Sequence, residues 1–420
     1  MAIIFGILIF FGLFFSYKKN KDLFSPSKWY FLSIIYFFKN IFLEEYSLNI
    51  YFIYLLLISL GFVFVILESK VTKVSDGLNF KKRKLINQKK IFRFLVVLSI
   101  IPIVTQFYFI LSYGNIFDYV NELAWRVRDW QGQGHLQALI KILPLINLIY
   151  LILIFSCKVE KKWRFIYIIH LVIVVFFGIL SGSRGSSLYV LLNVLILYNY
   201  FQNRLTLIKI APLILLFLIV ASVFGVVRNQ IKVSDNEIVY YNQGSLKESL
   251  QSKQESYGLI GLKGVYDKKY TDLEYGSTFL TTLTNLVPRS FWPEKPPSGG
   301  VLLTKHIEGG KYGGTSHYST GIYTEFIMNF GYVLGPILAT LFMIFLGKRI
   351  IKHYNILIYN RDFFSLKKLL IAVFLLLQFQ RLIGGITFGE FTNLFFSLMR
   401  DVFFLYMIFF IMKLFKIKLH

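Results

Sequence analysis

The sequence predicts an all-α polytopic membrane protein with about eleven transmembrane helices and one large extracytoplasmic loop. Three observations lead there. Of 420 residues, 56% are hydrophobic and 18% aromatic, and the mean hydropathy is +0.60. Charged residues make up only 16%, against about 25% in an ordinary soluble domain. The basic residues fall in short blocks between apolar runs. A net charge of +24 would otherwise suggest nucleic acid, but its placement between spans argues for membrane topology, and no nucleic-acid partner is expected.

Each apolar run is about 15–21 residues long and lacks period-two alternation, so the runs read as helices rather than barrel strands. They lie near 2–16, 28–42, 49–67, 94–112, 137–156, 165–181, 187–201, 207–227, 324–346, 367–384 and 393–412. The run at 28–42 is short and carries Lys39. The first run has no basic n-region and no small-residue cleavage site, so it reads as a span and not as a signal peptide.

Orientation follows from Lys and Arg, which accumulate on the cytoplasmic side. The connections at 17–28, 68–93, 158–164, 201–209, 347–368 and 412–420 hold most of the 46 basic residues. The alternate short connections at 43–48, 113–136, 182–186 and 385–392 hold only Arg126, Arg128 and Arg184. The amino terminus is therefore expected outside and the carboxyl terminus inside. The chain divides into helices 1–8 over 1–227, an outer loop over 228–323 and helices 9–11 over 324–420.

Outer loops of about 95 residues are uncommon without a purpose. This one contains VPRSFWPEKPPSGG at 287–300, then the pairs Gly299-Gly300, Gly309-Gly310 and Gly313-Gly314. Proline fixes φ and glycine frees it, so a stiff arm followed by a mobile flap is expected. In the shorter outer loop, NELAWRVRDWQGQGH suits an interfacial helix, with Trp125 and Trp130 at headgroup level.

Missing motifs narrow the chemistry. There is no GxxxxGK[ST] loop, no GxGxxG after a strand and no HExxH. No clustered His/Cys/Asp set suggests a metal, and no Asp-x-Asp pair is present to hold one on a nucleotide sugar. The single cysteine, Cys157, excludes an internal disulfide and a Cys-based zinc site. An ATP-driven pump, a metalloprotease and a nucleotide-sugar transferase are disfavoured; neither a metal nor a cofactor is expected.

Several charged residues map to the outer face, against the positive-inside trend. Arg184, in SGSRGSS, has small neighbours that leave backbone N–H groups open to a phosphate at a helix N-terminus; the plain alternative is snorkelling to headgroups. Arg228 follows the eighth run and has the same two readings. Arg289 and Lys295 flank Phe291 and Trp292, a pattern that holds phosphate while rings stack on sugar faces; solvated loop charges are the alternative. His306 and His317 fall in the flap and would serve as base or hydrogen-bond donor, or are ordinary surface residues. Glu325 opens the ninth run, either complementing that helix's dipole or accepting a proton from a sugar hydroxyl. Arg381 sits in QFQRLIGG with Gln378 and Gln380, and Arg400 with Asp401 in the last run. Ionisable residues at that depth are functional candidates by default, though a structural Arg400–Asp401 pair is an equal reading.

SGSRGSSLYVLLNVLILY, TNLVPRSFWPEKP and GIYTEFIMNFGYVLGPIL, in that order, resemble the Wzy-type polymerases of bacterial O-antigen and capsular repeat units. LFSPSKWYFL looks like that family's second span, whereas the family's paired R-x10-G loop motifs are not cleanly matched. The resemblance implies a metal-independent glycosyltransferase with a GT-C-like core in the cytoplasmic membrane. It would transfer a growing glycan from undecaprenyl pyrophosphate onto a new lipid-linked repeat unit. Its partners would be undecaprenyl-pyrophosphate-linked glycans, membrane lipid and a chain-length regulator. The family's outer-face arginines hold the carrier's phosphates, and Arg184 and Arg289 match that role, with Glu325 as the third catalytic candidate. Arg228, Trp292, Lys295, His306, His317 and Arg381 are the substrate-binding candidates. An O-antigen ligase using the same donor and a lipid-linked oligosaccharide flippase are the alternatives.

Overall fold

The computed structural model describes residues 1–69, 82–85, 87–116, 118–119, 134–180, 184–206, 208–212, 231–234, 237–240, 257–284, 287, 291–292, 294–309, 318–359, 365–386 and 389–418. Among them, seven helices are long and apolar enough to cross a membrane. The chain is thus a helical membrane protein, as backbone groups in hydrocarbon require. It divides into two compact units, one of residues 1–75, 255–363 and 371–403, the other of 76–254, 364–370 and 404–420.

The first unit opens with α1 (Ala2–Lys19), α2 (Pro26–Phe37) and α3 (Leu48–Ser69). The predicted span at 28–42 is in fact the 12-residue α2 followed by the 3-10 turn Lys39–Phe42. Twelve residues rise only about 18 Å. Lys39 and Asn40 fall at the junction, where regular α-helix gives way. The start of α2 and the end of α3 nonetheless meet at a single polar network. There Asn20 donates to Glu68 Oε1 at 2.7 Å and to the Tyr354 hydroxyl at 2.7 Å. Tyr354 donates to Asp22 Oδ2 at 2.8 Å, and the Ser27 N–H donates to Glu68 Oε2 at 3.0 Å. Buried Lys28 donates to the Asn20 carbonyl at 2.6 Å and to Ser25 Oγ at 3.0 Å. Residues 20–28, 68 and 354 therefore share one side, as the predicted parity of connections requires.

Packing above this network is set by glycine. Phe31, on α2, is fully buried, and its ring tip fills the space a Cβ would take on both Gly12 of α1 and Gly61 of α3, each at 2.4 Å. Phe64 sits likewise in the space beside Gly347, joining α3 to the later helix Gly321–Tyr359. Tyr30 packs edge-on against Phe64 at 4.8 Å and donates to the Leu57 carbonyl at 2.9 Å.

The second unit holds α4 (Gln88–Leu111), α5 (Gly134–Ile140), α6 (Ile142–Ser156), α7 (Lys161–Leu180) and α8 (Arg184–Phe201). At its centre His170 on α7 is buried between α4 and α6, with both ring nitrogens bonded: Nε2 to Ser99 Oγ at 3.0 Å and Nδ1 to Asn147 Nδ2 at 3.0 Å. Asn147 can only donate there, so Nδ1 accepts and Nε2 carries the proton. Ser99 Oγ in turn donates to the Leu95 carbonyl at 2.7 Å. This neutral clamp joins three helices in a setting where an unpaired polar group costs several kcal/mol. Strands β1 (Arg83–Lys84) and β2 (Cys157–Lys158) pair in parallel, Arg83 opposite Cys157. A strand pair cannot cross a bilayer, so these two basic connections also share one side. Strands β3 (Ile231–Ser234) and β4 (Glu237–Tyr240) form an antiparallel pair. Most of the predicted 207–227 span lies outside the described residues, as do Trp125 and Trp130.

The predicted outer loop returns to the first unit as α9 (Tyr257–Tyr266), α10 (Ser277–Thr284) and α11 (Gly299–Ile307). The arm-and-flap expectation needs correction here: Gly299-Gly300 is no hinge but the first turn of α11. The helices α12 (Gly321–Tyr359), α13 (Leu366–Ile386) and α14 (Phe391–Leu414) follow. At 39 residues, α12 is too long for one straight crossing. Gly331, at φ 79° and ψ 177°, breaks it in a backbone conformation that only glycine adopts readily. Gly335 then lies where a Cβ would meet the Ile327 backbone at 2.7 Å, so the two parts pack tightly at the bend.

Truncating the ring that fills two glycine notches tests this packing. Phe31→Ala should destabilise the unit by about 3–5 kcal/mol, the usual cost of emptying a buried aromatic site. Thermal unfolding in detergent should show a clearly lowered midpoint; an unchanged midpoint would contradict the wedge.

Candidate functional site

The part of α12 before the Gly331 break carries Glu325 and Asn329 one turn apart, and both are fully buried. Three other segments converge on them. The first is α10, whose Thr278, Thr281 and Thr282 point inward. Asn329 Nδ2 donates to Thr278 Oγ1 at 2.7 Å, and Thr281 Oγ1 donates to Thr392 Oγ1 at 2.9 Å. Thr392 closes the chain by donating to the Thr278 carbonyl at 2.8 Å.

The second segment is the start of α14. There the Phe391 N–H donates to Glu325 Oε2 at 2.9 Å, joined by Thr320 Oγ1 at 3.0 Å. The ring of Phe391 continues the contact, lying 4.7 Å from Phe279 and 4.3 Å from Phe395. The third is the N-terminus of α11. Its N-cap, Ser298, makes no side-chain cap hydrogen bond. Glu390 takes that place instead, Oε1 accepting from the Gly300 N–H at 3.0 Å. Its other oxygen accepts from Asn393 Nδ2. Gly299 packs on the second carboxyl so closely that a Cβ would lie 3.0 Å from both Cδ and Oε1 of Glu325.

Two carboxyl groups are thus buried against one helix N-terminus, whose dipole and free N–H groups favour negative charge. Glu390 is satisfied at both oxygens. Glu325 has Oε2 doubly bonded, but its Oε1 has no hydrogen-bond partner among the described residues. Thr282 Oγ1 and Thr324 Oγ1 are unpaired too; an unpaired buried oxygen costs about 1–3 kcal/mol, and of these three only the carboxyl oxygen can act as a base near neutral pH.

Glu325 was expected at the opening of the ninth span, either complementing that helix's dipole or facing a pocket as a proton acceptor. It lies four residues into α12, at the start of that helix. Glu325 precedes the break, faces the N-terminus of a different helix, and is enclosed.

The remaining candidates fall as follows. Arg184 begins α8 in the second unit, and its side chain lies outside the described residues. Arg228, Arg289 and His317 lie outside them entirely. Trp292 is 41% exposed and its neighbour Phe291 83%. Lys295 donates to the Val287 carbonyl at 3.3 Å. His306 sits near the far end of α11, about 10 Å along the helix from Gly299, with its ring 4.8 Å from Tyr270. It is therefore not beside Glu325. Arg381 reaches Asp401 at 3.8 Å, and Arg400 binds the same carboxylate through two nitrogens at 2.6 and 3.0 Å. Arg381 was expected to face an anion, while Arg400 and Asp401 were read as a separate pair. The three instead form one cluster, with the Arg381 side chain 45% exposed.

Sequence reasoning missed Glu390 because the 385–392 connection was weighed only for its lack of basic residues. An acid immediately before a helix was the available signal. The inward threonines of α10 carried no signal by themselves. Compared with known protein families, with curated proteins and with solved structures, the chain matches none.

Removing the acceptor at Glu390 should loosen α11. Glu390→Ala strands the Gly300 N–H at a cost of about 1–3 kcal/mol. Limited proteolysis should then cut the 287–320 segment faster than in the parent chain; equal rates would show that the contact does not hold α11 down.

Proposed function

We propose that this chain is a metal-independent glycosyltransferase that polymerises undecaprenyl-pyrophosphate-linked repeat units at the outer face of the bacterial cytoplasmic membrane. The observation that carries the reading is Glu325, a carboxyl buried at the end of a spanning helix, roofed by loop helices and left with one unbonded oxygen. Placing an acid at such depth is costly, which favours function. The side opposite the basic connections is taken as the outside, with the amino terminus outside, the carboxyl terminus inside, eleven spans and a GT-C-like core.

In this mechanism the acceptor hydroxyl attacks the anomeric carbon of the donor sugar, and Glu325 takes its proton through Oε1. The C–O bond to the carrier breaks, and undecaprenyl pyrophosphate leaves with the bonding electron pair. Fixed cations can stabilise that leaving charge without a metal ion. The resemblance assigns this to Arg184 and Arg289, with Arg228, Lys295 and Arg381 in support. Trp292 offers a ring to a sugar face, and His306 and His317 offer hydrogen bonds. Because α11 covers Glu325, the described arrangement is the closed one, and lifting α11 exposes the base.

Arg184→Ala and Arg289→Ala, expressed in cells lacking the native gene, should remain in the membrane but yield surface polysaccharide of single repeats. Unchanged chain length in both would remove the arginines from the mechanism. Glu325→Gln keeps the hydrogen-bond shape but not the base, and should slow chain growth by about 10²–10⁴-fold. Loss of attachment with long polymer still made would indicate the ligase alternative, and an absence of any covalent product the flippase.

A further inference from the structure

We infer that residues 273–284 of the large loop form a membrane element whose outer face is covered by bilayer lipid, not by water. The inference rests on the membrane character of the chain and not on the polymerase reading. Segment 273–284, LEYGSTFLTTLT, has two unlike faces. Thr278, Thr281 and Thr282 are turned inward, and Thr278 and Thr281 bond to Asn329 and Thr392. On the other side, Leu273, Tyr275, Leu280 and Leu283 are 40%, 81%, 58% and 55% exposed. An aqueous loop would place its apolar groups the other way round.

The segment's only charge is Glu274, and both of its oxygens are occupied. Tyr270 donates to Oε1 at 2.9 Å and Ser277 Oγ to Oε2 at 2.8 Å. Four consecutive backbone N–H groups leading into α10 are bonded as well. The N–H groups of Glu274 and Tyr275 donate to the carbonyls of Met328 and Asn329 at 3.0 and 3.2 Å. That of Gly276 donates to Asn329 Oδ1 at 2.8 Å, and that of Ser277 to the Glu274 carbonyl at 2.8 Å. A water-exposed turn has no need to bond four successive N–H groups to protein. Irregular backbone at membrane depth is tolerated only when protein satisfies it.

The exposed face also joins a surface that already belongs to lipid. Leu273 lies 3.8 Å from where a Gly331 Cβ would stand. Immediately beyond, the spanning part of α12 exposes Val333, Leu334 and Ile337. An exposed apolar side on a membrane-crossing helix faces hydrocarbon, and the outer leucines of α10 extend that side. Lipid therefore lies on one face of α10, and the two buried carboxyl groups lie on the other.

Leu280→Cys and Leu283→Cys test the assignment in the full chain in liposomes. The native Cys157 is buried and contributes little labelling. A nitroxide at each position should collide more with oxygen than with a water-soluble nickel chelate. The oxygen-to-nickel ratio should be several-fold higher than at the exposed position Asp267→Cys. A ratio equal to that at Asp267 places the face in water and overturns the inference. Protection from both agents means that protein covers it, which also overturns it. Should the cysteine variants fail to insert, Leu280→Trp gives a second reading. Brominated lipid should quench the added fluorescence, and unquenched emission would contradict lipid contact.

Discussion

Two carboxyl groups buried at the end of spanning helices govern how the large loop is built. Charge and unpaired polar atoms are expensive in such a setting. The chain meets the cost by bringing the N-terminus of α11 down onto Glu390 and Glu325. Only glycine at 299 allows that approach, and the adjacent Gly300 supplies the N–H. Within a loop that by composition reads as arm and flap, Gly299–Ile307 is thereby fixed into a short helix. The threonine face of α10 completes the enclosure, and its leucine face is left for lipid. One constraint, the pairing of buried polar groups, thus accounts for the docking of α11 and for the two-sided character of α10.

The same constraint orders the opposite ends of the helices. Asn20, Asp22, Lys28, Glu68 and Tyr354 satisfy each other where α1, α3 and α12 end. In the second unit, His170 is satisfied on both nitrogens by Asn147 and Ser99. At the Glu325 site, by contrast, one carboxyl oxygen has no hydrogen-bond partner among the described residues. Glu325 is the only carboxyl group among the described buried atoms left unpaired, which is what marks it for proton transfer.

Much of this was legible from the sequence, and the failures have physical causes. Long apolar runs located the helices, because burying backbone in lipid leaves few alternatives. The basic connections predicted which ends lie together, and the β1–β2 pair and the Glu68 network agree. The short α2 was overestimated because hydropathy does not register where an α-helix yields to a 3-10 turn. Glu325 was found, since an acid in an apolar run is conspicuous. Its partner Glu390 was not, because the residues are 65 positions apart and only tertiary folding joins them. Likewise nothing local in QFQRLIGG announces that Arg381 shares Asp401 with Arg400.

On the proposed reading, the chain builds polymer from lipid-linked repeat units using its own side chains. The most direct measurement is a reconstitution of the purified protein in liposomes with undecaprenyl-pyrophosphate-linked repeat units and excess chelator. A ladder of lipid-linked glycans that grows with time is the expected product. Repeat units recovered unchanged, from protein shown to be folded, would contradict it.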